Sequence, residues 1–160
     1  MKNLRFLPTF VLLGACTQEP DWGEVMYITK HGLPVIPNEF PVTQEQVEIE
    51  VDRVLALYID AFAKEGVTCN PAASLSCTLL AFEPYPFTSE FYFDGKFKVG
   101  GLTFYFDDRF VIQVGYRDPL SASSLAHELG HVFLMYCLGS KGAGNEIALY
   151  DFTQKYGLPY

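Results

Sequence analysis

The run Leu125-Ala126-His127-Glu128-Leu129-Gly130-His131-Val132-Phe133 sets two histidines four residues apart in an otherwise apolar segment with helical spacing. On an α-helix, positions four apart share a face, with Cβ atoms about 5–6 Å from each other. Both imidazoles can therefore turn toward one ion, and Zn²⁺, which bonds histidine nitrogen at about 2.0–2.1 Å, suits that pair. Glu128 lies about 100° further round the helix, so its carboxylate stays beside the metal without binding it. From there it can take a proton from a water whose pKa the metal has lowered. Two of the chain's three histidines fall in this run. Leu125, Leu129, Val132, Phe133 and Tyr136 give the helix an apolar surface to bury, and Gly130 suits the close approach of another element.

Upstream, Asp118-Pro119 breaks the chain, Ser121 is the expected N-cap, and the helical pattern runs to Leu138. Between Leu79 and Tyr116 the hydrophobic period changes to two. Residues 90–93, 96–99, 102–106 and 109–116 are aromatic or β-branched runs separated by Asp94-Gly95, Gly100-Gly101 and Asp107-Asp108. Asp-Gly between two such runs signals a hairpin, and together they predict a small, mainly antiparallel sheet. Further back, Thr43 and Gln46 have the spacing of a capping box. Val47, Val51, Val54, Leu55, Tyr58, Ile59 and Phe62 then recur at helical spacing until Gly66 stops the helix. Val25 to Thr29 is a first strand, while Gly32, Pro34, Pro37 and Pro41 are expected to keep residues 31–41 out of regular structure. Downstream of the histidines, Gly139, Gly142 and Gly144 break the chain before a last helix over 145–156. The expected fold class is α+β, with one domain over residues 25–160.

Composition agrees with a packed globular domain: 49% of the 160 residues are hydrophobic and 16% aromatic. Eleven Lys and Arg stand against 19 Asp and Glu, a formal net charge of −8 with no basic run, which argues against a nucleic-acid partner.

The first residues read as a leader: Lys2 and Arg5 are a positive n-region, residues 6–13 an apolar core, and Leu13-Gly14-Ala15-Cys16 follows at once. This resembles the lipobox of bacterial lipoproteins. The resemblance implies a signal peptide over residues 1–15, lipidation of Cys16, and a tether over 16–24. Thr17, rather than Asp, after the cysteine is what favours the outer membrane in Gram-negative lipoproteins, so the implied location is the cell envelope, facing periplasm or cell surface. The membrane would be reached through the lipid only. In that oxidising space Cys69 and Cys77, eight apart across a turn-rich segment, are the expected disulfide. Cys137 reads as a buried small hydrophobe.

The His127–His131 pattern is the motif of the zincin metallopeptidases, and its form here is a frequent one among them. The metzincin continuation would need glycine at 134 and histidine at 137, where this chain has Leu134 and Cys137. The gluzincin pattern takes a glutamate from the following helix instead, and Asn145-Glu146-Ile147-Ala148 resembles the Asn-Glu element of that branch. The resemblance implies a zincin-like fold in which an N-terminal helix, the sheet, the histidine helix and a C-terminal helix surround one Zn²⁺. His127, His131 and Glu146 would be its ligands and Glu128 the general base. Asp151 would fix an imidazole from outside, and Tyr150 or Tyr156 would stabilise the oxyanion. The strand over 109–116 would pair with an extended peptide, and the substrate would be a peptide or protein. Two other classes stay open: a zinc-binding envelope lipoprotein without catalysis, and a protein-interaction domain in which the motif is incidental.

Overall fold

A computed structural model describes residues 23–88, 98–106, 108–139 and 145–160. The leader, the Cys16 lipobox, most of the tether, the Asp94-Gly95 hairpin and Gly142 and Gly144 lie outside the described residues. Three α-helices occur among those described: α1 Gln44–Lys64, α2 Leu125–Leu138 and α3 Glu146–Tyr156. Two 3₁₀ segments, Pro71–Cys77 and Leu120–Ala122, precede β3 and α2 respectively. The strands are β1 Tyr27–Ile28, β2 Pro34–Ile36, β3 Thr78–Glu83, β4 Phe87–Thr88, β5 Lys98–Val99, β6 Gly101–Phe106 and β7 Arg109–Gly115.

Helix α1 starts where local chemistry says it should. The Thr43 hydroxyl accepts from the Gln46 N–H at 3.2 Å, and the Gln46 side chain accepts from the Thr43 N–H at 2.9 Å. Val47, Val51, Val54, Leu55, Tyr58 and Phe62 form its buried stripe. Ile59 falls outside that stripe and is 48% exposed, because the packed face is narrower than the apolar pattern. Glycine at 66, with φ of +72°, ends the helix in the left-handed region.

The main sheet runs β1-β2-β3-β7-β6 and β4 pairs with β5 in a second, two-stranded sheet. The fold is mixed α+β, and antiparallel pairings outnumber parallel ones, three to two, among the described residues. The two parallel pairings, β2 with β3 and β3 with β7, sit at the centre of the main sheet. Burial on both faces explains their place there. Leu80, Phe82, Phe110, Ile112 and Val114 join the large core beneath the helices, while Leu79, Ala81 and Val111 join a smaller cluster with Ile36, Phe87, Leu102 and Phe104.

Three expectations need correcting. The segment 31–41 is not wholly irregular: Pro34 opens β2, a position where its missing N–H is tolerated, and Val35 and Ile36 are buried between β1 and β3. Ser121 does not cap α2; it lies in the second 3₁₀ segment, Ser124 is the N-cap, and the Ser123 hydroxyl accepts from the Leu125 N–H at 3.3 Å. Cys69 pairs with Cys137, not with Cys77, which is exposed and free. The intervening chain forms the 3₁₀ segment Pro71–Cys77, and α2 packs against that segment. The last turn of α2 thereby meets Cys69, with Cα atoms 5.5 Å apart across 68 residues of sequence.

Helix α2 is the centre of the molecule. It lies against α1, α3, β6, β7 and both 3₁₀ segments, and Leu125, Leu129, Val132 and Phe133 are fully buried. At about 1.5–3 kcal/mol for each such side chain removed from water, this face anchors the helix firmly. The absence of a side chain at 130 permits the closest approach: a Cβ there would fall 2.2 Å from the Tyr58 hydroxyl and 2.8 Å from Leu149 Cδ1. No helix among the described residues is long and apolar enough to cross a membrane.

Candidate metal centre

His127 and His131 stand one turn apart on α2, and α3 brings Glu146 to them. The Nε2 atoms of the two histidines are 3.1 Å apart, and Glu146 Oε1 is 3.4 Å from each. A tetrahedral ion with bonds of about 2.0–2.1 Å holds its ligand atoms about 3.3–3.4 Å from one another. The donor triangle is close to those dimensions, its histidine–histidine edge being the shorter one, and two imidazoles with one carboxylate form a donor set zinc takes at sites with an open fourth position. The fit is local in origin. The four-residue spacing aligns the histidines, and Asn145 starts α3 by accepting from the Ala148 N–H at 2.7 Å, which leaves Glu146 at the first helical position.

The electrostatics follow from that geometry. Hydrogen bonding to His127, then to His131, holds the Glu146 carboxyl well below the usual carboxylate range. Burial disfavours charge on His127, but the Glu146 carboxylate and the nearby Glu128 outweigh it and raise its pKa. His131 is only 7% exposed at its side chain, and its Nδ1 is buried without a hydrogen-bond partner. The ring is held at Nε2 by Glu146 Oε1 at 3.4 Å and stands edge-on to the His127 imidazole, with centroids 4.8 Å apart.

Glu128 faces away from the triangle toward the sheet, yet lines the same cleft. The Thr103 hydroxyl on β6 donates to Glu128 Oε2 at 2.6 Å and lies 3.2 Å from the Glu128 carbonyl oxygen. A Cβ at Gly101 would come within 2.3 Å of Oε1, so glycine there leaves room for the carboxylate. Burial pushes the Glu128 carboxyl up, opposed by the two imidazoles and by Thr103.

Several expected roles do not match where the structure puts the residues. Asp151 is exposed on α3, and the buried His131 Nδ1, an outer imidazole nitrogen, has no partner. Tyr156 donates its hydroxyl to Glu65, beside Lys155, and its ring packs on Phe152, so it is committed elsewhere. Tyr150 is half-exposed and does not line the cleft; its ring meets Tyr160 edge-on at 5.3 Å. The strand Arg109–Gly115 lies between β3 and β6 and is hydrogen-bonded on both sides, so it offers no edge to a peptide; β6 is the terminal strand of the sheet order. His31, away from the cleft, bonds Asp52 on α1 at 2.6 Å.

Tyr160 is the residue sequence reasoning missed. Its hydroxyl donates to Glu146 Oε2 at 3.0 Å, and its ring stands edge-on to His127 at 4.9 Å. Oε1 is left for the histidine side while Oε2 is held by the phenol. No local pattern marks this tyrosine among the ten in the chain; only the reversal after Gly157, in the left-handed region at φ of +64°, carries the chain back to the start of α3. The triangle opens on a cleft of about 430 Å³, walled by Arg53 of α1, residues 121–124, Gly100 and Gly101, Glu128 and Tyr160. Comparison with protein-family models, curated proteins and solved structures finds no match to this chain.

Proposed function

We propose that this chain is a zinc-dependent metallopeptidase of the gluzincin type, held at the bacterial cell envelope by a lipid on Cys16. The observation that carries the reading is the donor triangle of His127 Nε2, His131 Nε2 and Glu146 Oε1, with edges of 3.1, 3.4 and 3.4 Å, beside the buried carboxylate of Glu128. Those three atoms would hold zinc, whose chemistry when bound is to acidify a water and polarise a peptide carbonyl. Glu128 does the proton work. Its Oε2 accepts from the Thr103 hydroxyl, and its carboxylate would receive a proton from the attacking water and return it to the departing amide nitrogen. Burial raises the pKa of the Glu128 carboxyl, which makes its carboxylate a stronger proton acceptor. Tyr160 donates to Glu146 Oε2 on the side away from the histidines, and at the cleft wall Gly100 and Gly101 leave their side-chain space to Ser124 and Glu128. The envelope location rests on Lys2, Arg5, the apolar run 6–13 and Leu13-Gly14-Ala15-Cys16.

Elemental analysis of the fragment from Thr17 onward, with Glu146→Gln and Glu128→Gln beside it, tests the site. About one zinc per chain is expected, weakened in Glu146→Gln and retained in Glu128→Gln. A peptide library cleaved by the parent fragment and left intact by Glu128→Gln completes the case. Absence of zinc, or undiminished cleavage by Glu128→Gln, overturns it. Radiolabelled palmitate incorporated by the full chain and lost in Cys16→Ser tests the anchor.

A further inference from the structure

Arg53 lines the cleft, yet nothing in the hydrolytic scheme uses it. It projects from α1 one turn beyond Glu50. Its Nε–H donates to Glu50 Oε2 at 2.9 Å and its Nη2–H to Glu50 Oε1 at 2.6 Å. Glu50 is buried, at 5% exposure, whereas the Arg53 side chain is 42% exposed. A long cationic side chain at a helix surface ordinarily samples many rotamers. Here a buried carboxylate clamps one edge of the guanidinium and fixes its direction. A guanidinium has five N–H donors in a rigid fork, and Glu50 occupies two of them on the Nε edge. The end-on edge of Nη1 and Nη2 remains, the geometry that grips a carboxylate through two parallel hydrogen bonds.

The other charged groups of the cleft sharpen the point. Among the described residues that line it, Arg53 is the sole Lys or Arg, facing Glu128 and Glu146 in a chain of net charge −8. Glu50 shares the charge of Arg53, and the free edge of the guanidinium is the arginine donor pair left on this lining. The cleft, at about 430 Å³, is in the range of sites that take small ligands rather than long segments.

We infer that Arg53 is a specificity-determining residue that receives a carboxylate of the peptide substrate while the scissile carbonyl lies at the His127–His131–Glu146 triangle. This rests on the peptidase reading. A carboxylate reaches Arg53 from either of two sources: the free C-terminus of the peptide, which makes the enzyme a carboxypeptidase, or an acidic side chain, which makes it an endopeptidase selective for Asp or Glu.

The test uses zinc-loaded protein and four fluorescent peptides of one core sequence, drawn from those the parent protein cleaves. They end in a free acid or an amide, each with and without one glutamate near the scissile bond. Binding is read by fluorescence anisotropy on Glu128→Gln, and cleavage on the parent protein. Arg53→Gln removes the charge. Arg53→Lys keeps a partner for buried Glu50 in case the first variant fails to fold, and circular dichroism and zinc content are checked for both. The inference expects carboxylate-bearing peptides to bind about tenfold or more tighter than the amide lacking glutamate, and this preference to collapse in Arg53→Gln and shrink in Arg53→Lys with zinc unchanged. Whether the terminal acid or the glutamate carries the preference identifies the source. Cleavage and binding indifferent to the carboxylate, or a preference that survives both variants, overturns the role of Arg53 and leaves the peptidase standing. A zinc-loaded parent protein that cleaves no library peptide overturns the peptidase reading and this inference with it.

Discussion

Tyr160 and Glu146 show how one hydrogen bond sets the form of a carboxylate proposed here as a metal ligand. A free carboxylate can offer either oxygen or both, whereas a phenol on Oε2 commits Oε1 to the two imidazoles. Groups that orient a ligand in this way are typically worth about 10–100-fold in metal affinity. Tyr160→Phe is therefore expected to weaken zinc binding by about tenfold with the fold intact, measured by competition with a chromogenic chelator. Tyr156→Phe, which disturbs only the contact with Glu65, should leave zinc affinity unchanged. Equal affinity in Tyr160→Phe and the parent would mean that packing alone fixes Glu146.

At the scale of the element, the close packing of α2 on α1 depends on one absent side chain. Replacing Gly130 by alanine drives a methyl into the Tyr58 hydroxyl and Leu149 Cδ1, a mismatch expected to cost about 1–3 kcal/mol. The Tyr58 hydroxyl is buried without a partner, and burial pushes its pKa up. Tyr58→Phe should therefore be neutral or stabilising, and it should recover part of the Gly130→Ala loss. A urea-denaturation double-mutant cycle checks this: additive effects would show that the hydroxyl is not the obstacle. The same helix explains the cysteines. A bridge closing 68 residues of chain stabilises by about 4 kcal/mol on the chain-entropy model, against about 2–3 for the short Cys69 to Cys77 loop. Cys137→Ser should lower the melting temperature by about 10 °C, and Cys77→Ser should leave it unchanged. Peptide mapping without reduction should recover Cys69 linked to Cys137.

The whole molecule is held by contacts between parts distant in sequence, and some are ionic. Lys30 and His31, in the turn from β1 to β2, both pair with Asp52 on α1. Hydrogen bonds from Lys30, then His31, hold the Asp52 carboxyl below its ordinary value of 3.8. A carboxylate depressed on folding adds stability above its unfolded pKa, and that contribution is lost as pH falls through its folded one. Asp52→Asn should thus lower the melting temperature slightly at pH 7, with the gap closing below about pH 4. The cluster is exposed, so the effect is small and should shrink further in salt. A gap that widens toward acid would contradict this assignment.

What the sequence determined by itself is what depends on near neighbours in the chain. The His127–His131 spacing, the Thr43 and Gln46 cap and the Asn145 start of α3 are settled by geometry within one helical turn, so they are legible before any fold is known. The alternation of residues 102–106 and 109–116 likewise announces β6 and β7, because that hairpin pairs adjacent runs. The parallel centre is not legible in this way: β3 is apolar on successive positions from Leu79 to Phe82, a run that names neither partner nor direction. Only the tertiary structure joined Cys69 to Cys137, took β7 out of reach of a peptide, turned Tyr156 toward Glu65, and brought Tyr160 and Arg53 to the cleft. Each of these is a contact between segments far apart in sequence. It is selected by how helices bury their apolar faces on the sheet, and no local propensity encodes it.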